Sequence, residues 1–387
     1  MPTLNLNDLL EALQIVLPKE KNPTPLHEPC FFGNEFSYLK DCLDTGWVSS
    51  VGKYVDRFED MLVDFTGVKR AIAVVNGTAA LHICLKLVGV EPGDEVLVPA
   101  LTFVATANAV TYCGAIPHFV DCEKRTLGLD PEKLRKYLLE ICEIRSGGSF
   151  NKETGRRIKA VVPMHTFGHP VDLDPLIEVC TRYKLELVED AAESLGSYYK
   201  GMHTGNWGRV SAISFNGNKT ITTGGGGAIL TNSERLGELA KHITTTARVP
   251  HKWKILHDQV AYNYRLPNIN ASLGCAQLEQ LPELLKKKRD LSNRYLKAFE
   301  NISGARFFAE PNYAKSNYWL NALILEDKYS NRLGELLEMT NNLGFSTRPV
   351  WTPLHKLPMF QDSPRMDLVV VENLEKRIIN LPSSALL

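Results

Sequence analysis

The stretch V210-S-A-I-S-F-N-G-N-K-T-I-T-T-G-G-G-G-A-I-L230 decides how this chain is read. It sets one lysine, Lys219, between an apolar strand-like run and four consecutive glycines, Gly224 to Gly227. Such a run surrenders much backbone entropy, which is explained if the chain must approach a ligand closely. Upstream, LELVEDAAES (185–194) ends another apolar run at Asp190, and open α/β sheets bind ligands at strand carboxyl ends. Taken singly, Lys219 also reads as a solvated loop lysine and Asp190 as the cap of the next helix. Together they are the pair that pyridoxal phosphate chemistry needs. The amine forms a Schiff base, and the carboxylate keeps the pyridine nitrogen protonated so that the ring accepts electrons.

Around this pair, short apolar runs alternate with helical patterns from Ala71 onward: AIAVV, DEVLVPA, AIPHFVD, RIKAVVPMH and LELVEDAA, most of them followed by a helix-like segment. Alternation of this kind predicts a mainly parallel sheet covered on both faces. Asp-Pro pairs at Asp130-Pro131 and Asp174-Pro175 mark helix starts. VSAISF and GGAILT have no crossover helix between them and are expected to pair differently. Residues 1–30 read as an N-terminal helical extension ending in the loop KNPTPLHEP. Residues 31–265 read as the large α/β domain, and 266–387 as a smaller α+β domain. The long helical stretch after Pro267 is expected to break at Pro282, and RSGGSFNKETGRR (145–157) to be an exposed loop.

The chain has 387 residues, with Lys+Arg and Asp+Glu at 44 each. Balanced charge provides no global field for nucleic acid or an anionic membrane. The N-terminus carries acids where a secretory signal needs positive charge, and the most apolar region is interrupted by Pro99, Thr102, Asn108 and Gly114. The expectation is a cytoplasmic protein with no membrane span and no nucleic-acid partner. Eight cysteines without CxxC spacing fit reduced, buried thiols. His165 and His169 in HTFGH are separated by glycine and followed by proline, so no metal site is expected. P-loop, GxGxxG and GxSxG motifs are missing.

NGTAAL (76–81) follows a strand and opens a helix. Gly77 permits a tight turn, and the N–H groups of Thr78 and Ala79 would point at an anion, unless the turn only caps the helix. Ser214 could add a further phosphate donor. Phe103, at a strand-to-helix junction, could stack on a planar cofactor or belong to the core.

These residues sit in a longer ordered series: GWVSSVGKYVDRFE (46–59), NGTAALH (76–82), PGDEVLVPALTFVATANAV (92–110), VEDAAES (188–194), SFNGNKTITTGGGG (214–227), NYRLPNINASLGCAQLEQL (263–281) and TRPVWTPLH (347–355). From about Trp47 to the C-terminus the chain resembles the DegT/DnrJ-type nucleotide-sugar aminotransferases. VEDAAESLGS, the TTGGGG run and the helical extension are most similar to the legionaminic-acid-pathway (LegC-like) branch. The resemblance implies a fold-type-I pyridoxal phosphate enzyme, its large domain holding a mainly parallel seven-stranded sheet flanked by helices. It implies that Lys219 bonds the cofactor and shuttles a proton, Asp190 pairs with the ring nitrogen and Phe103 covers the ring. Gly77, Thr78 and Ser214 would hold the phosphate, and Asn263 would reach the cofactor of a neighbouring subunit in a homodimer. Glu193 stands near the cofactor's phenolic oxygen, where many members carry glutamine or histidine; a carboxylate there repels a phenolate unless protonated or water-bridged. Arg265, Arg348 and His355 are candidates for substrate carboxylate or diphosphate contacts, and Ser49 and Lys53 for the sugar-nucleotide entrance. Related dehydratases carry histidine in place of the lysine, so Lys219 favours transamination. The implied reaction moves the amine of L-glutamate to C4 of a nucleotide-linked 4-keto-6-deoxy sugar. UDP-4-keto-6-deoxy-N-acetylhexosamine is the expected acceptor, feeding surface-glycan amino sugars. GDP-4-keto-6-deoxymannose or a 3-keto sugar nucleotide is the alternative, and a non-catalytic cofactor-binding module a further one.

Overall fold

The computed structural model of the protein describes residues 4–18 and 23–387. The first three residues of the expected 1–30 extension, and the beginning of its KNPTPLHEP loop, lie outside the described residues.

Seven strands form one path in the order Arg70–Val74, Gly227–Thr231, Val210–Ser214, Glu186–Asp190, Arg157–Val161, Glu95–Pro99 and Ile116–Val120. Every pairing is parallel except the two made by Gly227–Thr231, which runs against both neighbours. VSAISF and GGAIL thus pair directly and antiparallel, as the missing crossover helix requires. Strand alternation shows why both faces are covered. In Arg70–Val74, Ile72 and Val74 enter one core with Leu81 and Leu85 of the helix Gly77–Leu87, while Ala71 and Ala73 enter another with Phe58 and Leu278.

Residues 142–151 depart from expectation. Cys142–Arg145 and Gly148–Asn151 form a hairpin that joins the sheet through Arg157–Val161, with Ser149 and Asn151 buried. Glycines at its tip permit the reversal, and Asn151 anchors it by donating to Glu95 at 3.0 Å. Asp130 caps its helix as expected, accepting from the N–H groups of Glu132 and Lys133, each at 3.0 Å. The second Asp-Pro signal is shifted: the helix Leu173–Arg182 starts after Asp172, so Asp174 and Pro175 lie in its first turn, where proline's missing N–H is tolerated.

The helix Asn268–Phe299 runs unbroken through Pro282. Its first half buries Ala271, Cys275, Leu278 and Leu281 with Phe58 and Phe215. Its second half buries Leu291, Tyr295 and Phe299 with Phe307, Leu323 and the N-terminal helix residues Leu9 and Leu13. That burial outweighs the roughly 3 kcal/mol that an interior proline costs. A second, antiparallel sheet orders Ala305–Phe307, Asn321–Leu325, Ile378–Leu381 and Arg348–Pro349. Just before its strand Asn321–Leu325, the segment Ser316–Leu320 runs back toward the carboxyl ends of the large sheet. Among the described residues no helix is long and apolar enough to cross a membrane.

Candidate active site

At those carboxyl ends lies a cavity of about 320 Å3, within the range of small-ligand pockets. Asp190, Glu193, Ser214 and Lys219 line it together with Gly77, Thr78 and Phe103, and the C-terminal segments add Trp319 and Trp351. Lys219 and Asp190, 29 positions apart, open into the same space because their strands are parallel neighbours.

Asp190 and its neighbour Glu189 show how alternation divides labour along a strand. Glu189 faces the opposite side, fully buried, and accepts hydrogen bonds from Gly205, Trp207 and Gly208 N–H at 2.7–2.9 Å, with His165 Nε2 at 3.0 Å. Burial alone would raise its pKa; these partners reverse that and hold it below the ordinary carboxyl range. Among the described residues the Asp190 carboxylate accepts from Thr106 Oγ1 (2.7 Å) and Ala192 N–H (3.2 Å), and burial pushes its pKa upward. A buried carboxylate that burial leaves undercompensated is a fit partner for a cationic ring nitrogen.

The Lys219 amine stands 3.5 Å from Glu193 Oε1 and 4.0 Å from the centroid of the Trp319 ring. Glu193 is buried, and its Oε2 accepts from the N–H of Phe167 at 2.9 Å; Phe167 takes a left-handed conformation at φ 57°. Desolvation pushes Glu193 up to about 7, although Lys219 pulls the other way. That upward shift favours the neutral carboxyl, the form that would not repel a phenolate.

At the anion end, Asn76 caps the helix Gly77–Leu87, and its Oδ1 takes the N–H of Ala79 at 2.7 Å. Ala79 is thus not a free donor, and the expectation that its N–H points at an anion is corrected. Gly77 and Thr78 border the cavity beside Ser214, so close that a Cβ on Gly77 would sit 2.9 Å from that of Ser214. The glycine run has a different origin from the one expected. A Cβ on Gly227 would lie 2.5–2.7 Å from backbone atoms of Asn76 and Gly77, so the close approach is between two pieces of chain. Gly227 lets an antiparallel strand press against the turn that opens the Gly77 helix.

Not every expected site residue reaches this cavity. Lys53 pairs with Asp41 at 2.8 Å, and the carbonyl of Ser49 accepts from Asn268 N–H at 2.6 Å. Arg265 donates to Asn263 at 3.0 Å, Arg348 to Asn341 at 2.9 Å, and His355 meets Glu372 at 3.1 Å. None of these five, nor Asn263, lines the cavity. Conversely, Trp319, Trp351, Met164, Asn216 and Asn218 line it unforeseen, and Thr106 supports Asp190. Trp351 lay within the TRPVWTPLH motif, and Thr106 within TFVATANAV.

A lysine and an undercompensated buried aspartate in one cavity, above a glycine-cradled helix start, fit pyridoxal phosphate: an amine for its aldehyde, an anion for its ring nitrogen, and unhindered backbone for its phosphate. The fold and site define a fold-type-I pyridoxal phosphate enzyme. Residues 30–387 match the model of the DegT/DnrJ/EryC1/StrS aminotransferase family. The chain is 37% identical over 360 residues to GDP-perosamine synthase of Vibrio cholerae, spanning 93% of each. It is also 37% identical over 368 residues to GDP-perosamine synthase of Caulobacter vibrioides, spanning 92% of each. The crystal structure of the aminotransferase TlmJ from Streptoalloteichus hindustanus superposes with a TM-score of 0.85, at 26% identity and 94% coverage of both chains. The chain belongs to the DegT/DnrJ/EryC1/StrS family and is a pyridoxal phosphate-dependent sugar aminotransferase acting on nucleotide sugars.

Proposed function

We propose that the enzyme transfers the amino group of L-glutamate to C4 of a nucleotide-linked 4-keto-6-deoxyhexose, yielding 2-oxoglutarate and a 4-amino sugar for surface glycans. UDP-4-keto-6-deoxy-N-acetylhexosamine, as in the legionaminic-acid-pathway branch, is the first acceptor to consider. The GDP-perosamine synthases among the relatives favour a second reading, GDP-4-keto-6-deoxymannose. The observation that carries the reaction class is Lys219 sharing one cavity with Asp190.

Bound pyridoxal phosphate supplies an electron-accepting ring conjugated to the nitrogen it carries. The chain supplies binding, orientation and proton control. Gly77, Thr78 and Ser214 would hold the phosphate, and Asp190, steadied by Thr106, would keep a proton at the ring nitrogen. Phe103, which lines the cavity, would cover the ring. Lys219 is the residue that would hold the cofactor's aldehyde and would serve as the base that moves the proton beside the nitrogen. Glu193 holds Lys219 beside that position. Asn263, outside its own chain's cavity, would serve the phosphate of a neighbouring copy in a homodimer. Arg265, Arg348, His355, Ser49 and Lys53 would then meet the nucleotide sugar at the shared entrance.

The test is incubation with L-glutamate and a panel of UDP- and GDP-linked keto sugars, followed by mass spectrometry. The expected product carries an amine in place of the ketone oxygen, and Lys219→Ala abolishes it together with the borohydride-trapped cofactor on that peptide. Failure to aminate any 4-keto sugar while aminating a 3-keto one would overturn the position assigned.

A further inference from the structure

Among the cavity-lining residues, Trp319 has a connection to Lys219 that packing alone does not require. Its ring centroid lies 4.0 Å from the Lys219 amine, which also meets Glu193 Oε1 at 3.5 Å. Its indole N–H donates to the backbone carbonyl of Asn218, the residue preceding Lys219, at 2.7 Å. Trp319 is itself fixed. Its N–H donates to Asn317 Oδ1 at 2.8 Å and its carbonyl accepts from the buried Lys288 amine at 3.2 Å. Asn317 meanwhile donates to the carbonyls of Glu193 and Leu195 at 2.8 and 2.9 Å. A single short segment from the C-terminal third therefore grips both loops that carry the cavity's amine and its acid.

We infer that Trp319 is a positioning residue for Lys219: its ring face holds the amine beside Glu193, and its N–H pins the loop that delivers it. This rests on reading Lys219 as the reacting amine. Cation–π attraction to an indole is the strongest among aromatic side chains and grows as the cation is withdrawn from water, and the Lys219 side chain is only 14% exposed. The hydrogen bond to Asn218 fixes the backbone from which the lysine springs, so that the amine, once free, stays within reach of the carbon whose proton it moves.

Four preparations of the full chain test this: wild type and Trp319→Phe, each with and without fluorinated tryptophan. Lys219 is labelled with acetic anhydride at fixed pH in cofactor-free protein, and its rate is read by mass spectrometry. Replacing all tryptophan by trifluorotryptophan keeps the shape but weakens the ring's hold, and the Lys219 rate is expected to rise at least about threefold. Trp319→Phe removes the indole at that site, so fluorination of this variant is expected to leave its rate unchanged. In the loaded enzyme, Trp319→Phe keeps a ring face but loses the donor. Its kcat is expected to fall about three- to tenfold, with KM for both substrates within about twofold. A Lys219 rate insensitive to fluorination, or equally sensitive in the Phe variant, overturns the ring-face role. An unchanged kcat in Trp319→Phe overturns the pinning role. Labelling needs no cofactor, so failure of the cofactor reading shows separately, as no borohydride-trapped cofactor on wild-type Lys219.

Discussion

Two carboxylates open into the cavity, and their surroundings assign them different work. Asp190 keeps two hydrogen bonds at the buried end, while Glu193 has one N–H donor and the Lys219 amine. Desolvation raises Glu193 to about 7, above its ordinary 4.5. In the folded, cofactor-free chain it therefore keeps its proton through a pH window in which the unfolded chain releases it. Where the native state binds more protons, stability falls as pH rises. The contribution is fully present below pH 4.5 and lost by about pH 7. Glu193→Gln keeps an acceptor for Phe167 N–H and cannot titrate. Relative to it, the wild type is expected to lose on the order of 2–3 kcal/mol of unfolding free energy across that window. Urea unfolding of both proteins at a series of pH values measures this, and parallel profiles would refute it.

Elements explain what single residues cannot, above all the four glycines. The strand Gly227–Thr231 lies antiparallel between Arg70–Val74 and Val210–Ser214, and its first residue abuts the turn that starts the Gly77 helix. Gly227→Ala places a methyl 2.5 Å from a backbone carbon of Asn76, and backbone cannot swing aside as a side chain can. Such overpacking costs about 1–3 kcal/mol, and the displaced turn is the one proposed to hold the cofactor's phosphate. Cofactor affinity, followed by absorbance titration, is expected to fall by about ten- to a hundredfold. Gly225→Ala meets nothing nearer than Val75 O at 3.9 Å and serves as the control, with affinity within about twofold. If both substitutions weaken the cofactor alike, flexibility rather than close approach is the reason for the run. The sequence pointed to the glycines correctly, because conformational freedom is a local property. It could not say what approached them, because Asn76 lies some 150 positions away. Lys219, Asp190 and Ser214 were legible for the same local reason: each ends or follows an apolar run whose period marks a strand. Trp319 and Trp351 were not, since their place depends on how the second sheet docks. Pro282 misled because propensity was read without the two cores that hold its helix straight.

At the scale of the whole molecule, one buried lysine ties together segments that the chain order keeps far apart. Lys288, on the long helix, is 1% exposed, and its amine donates to the carbonyls of Ser383 at 2.6 Å and Trp319 at 3.2 Å and meets His27 Nε2 at 3.0 Å. The N-terminal segment, the helix that spans two cores, the C-terminal tail and the wall of the active site thus converge on one nitrogen. Burial lowers this amine from 10.5 to about 7, and burial likewise keeps His27 well below its ordinary value, with Lys288 adding to the effect. Here the sign is opposite to that of Glu193. Between about pH 7 and 10.5 the unfolded chain holds a proton on this lysine that the folded chain has given up, so stability from this site rises with pH across that window. Lys288→Met fills similar space without titrating and strands two carbonyls that then lack a donor. The wild-type advantage over it is therefore expected to grow by about 3–5 kcal/mol from pH 7 to pH 10.5, read from denaturant midpoints at unchanged slope. A constant difference across that range would mean that the buried amine stays charged in the native state. Because Trp319 loses a backbone anchor in the same variant, kcat is expected to fall at all pH values by about threefold or more, even where stability is restored by a stabilising osmolyte. An osmolyte-stabilised variant with wild-type kcat would separate the convergence of these segments from the positioning of Lys219.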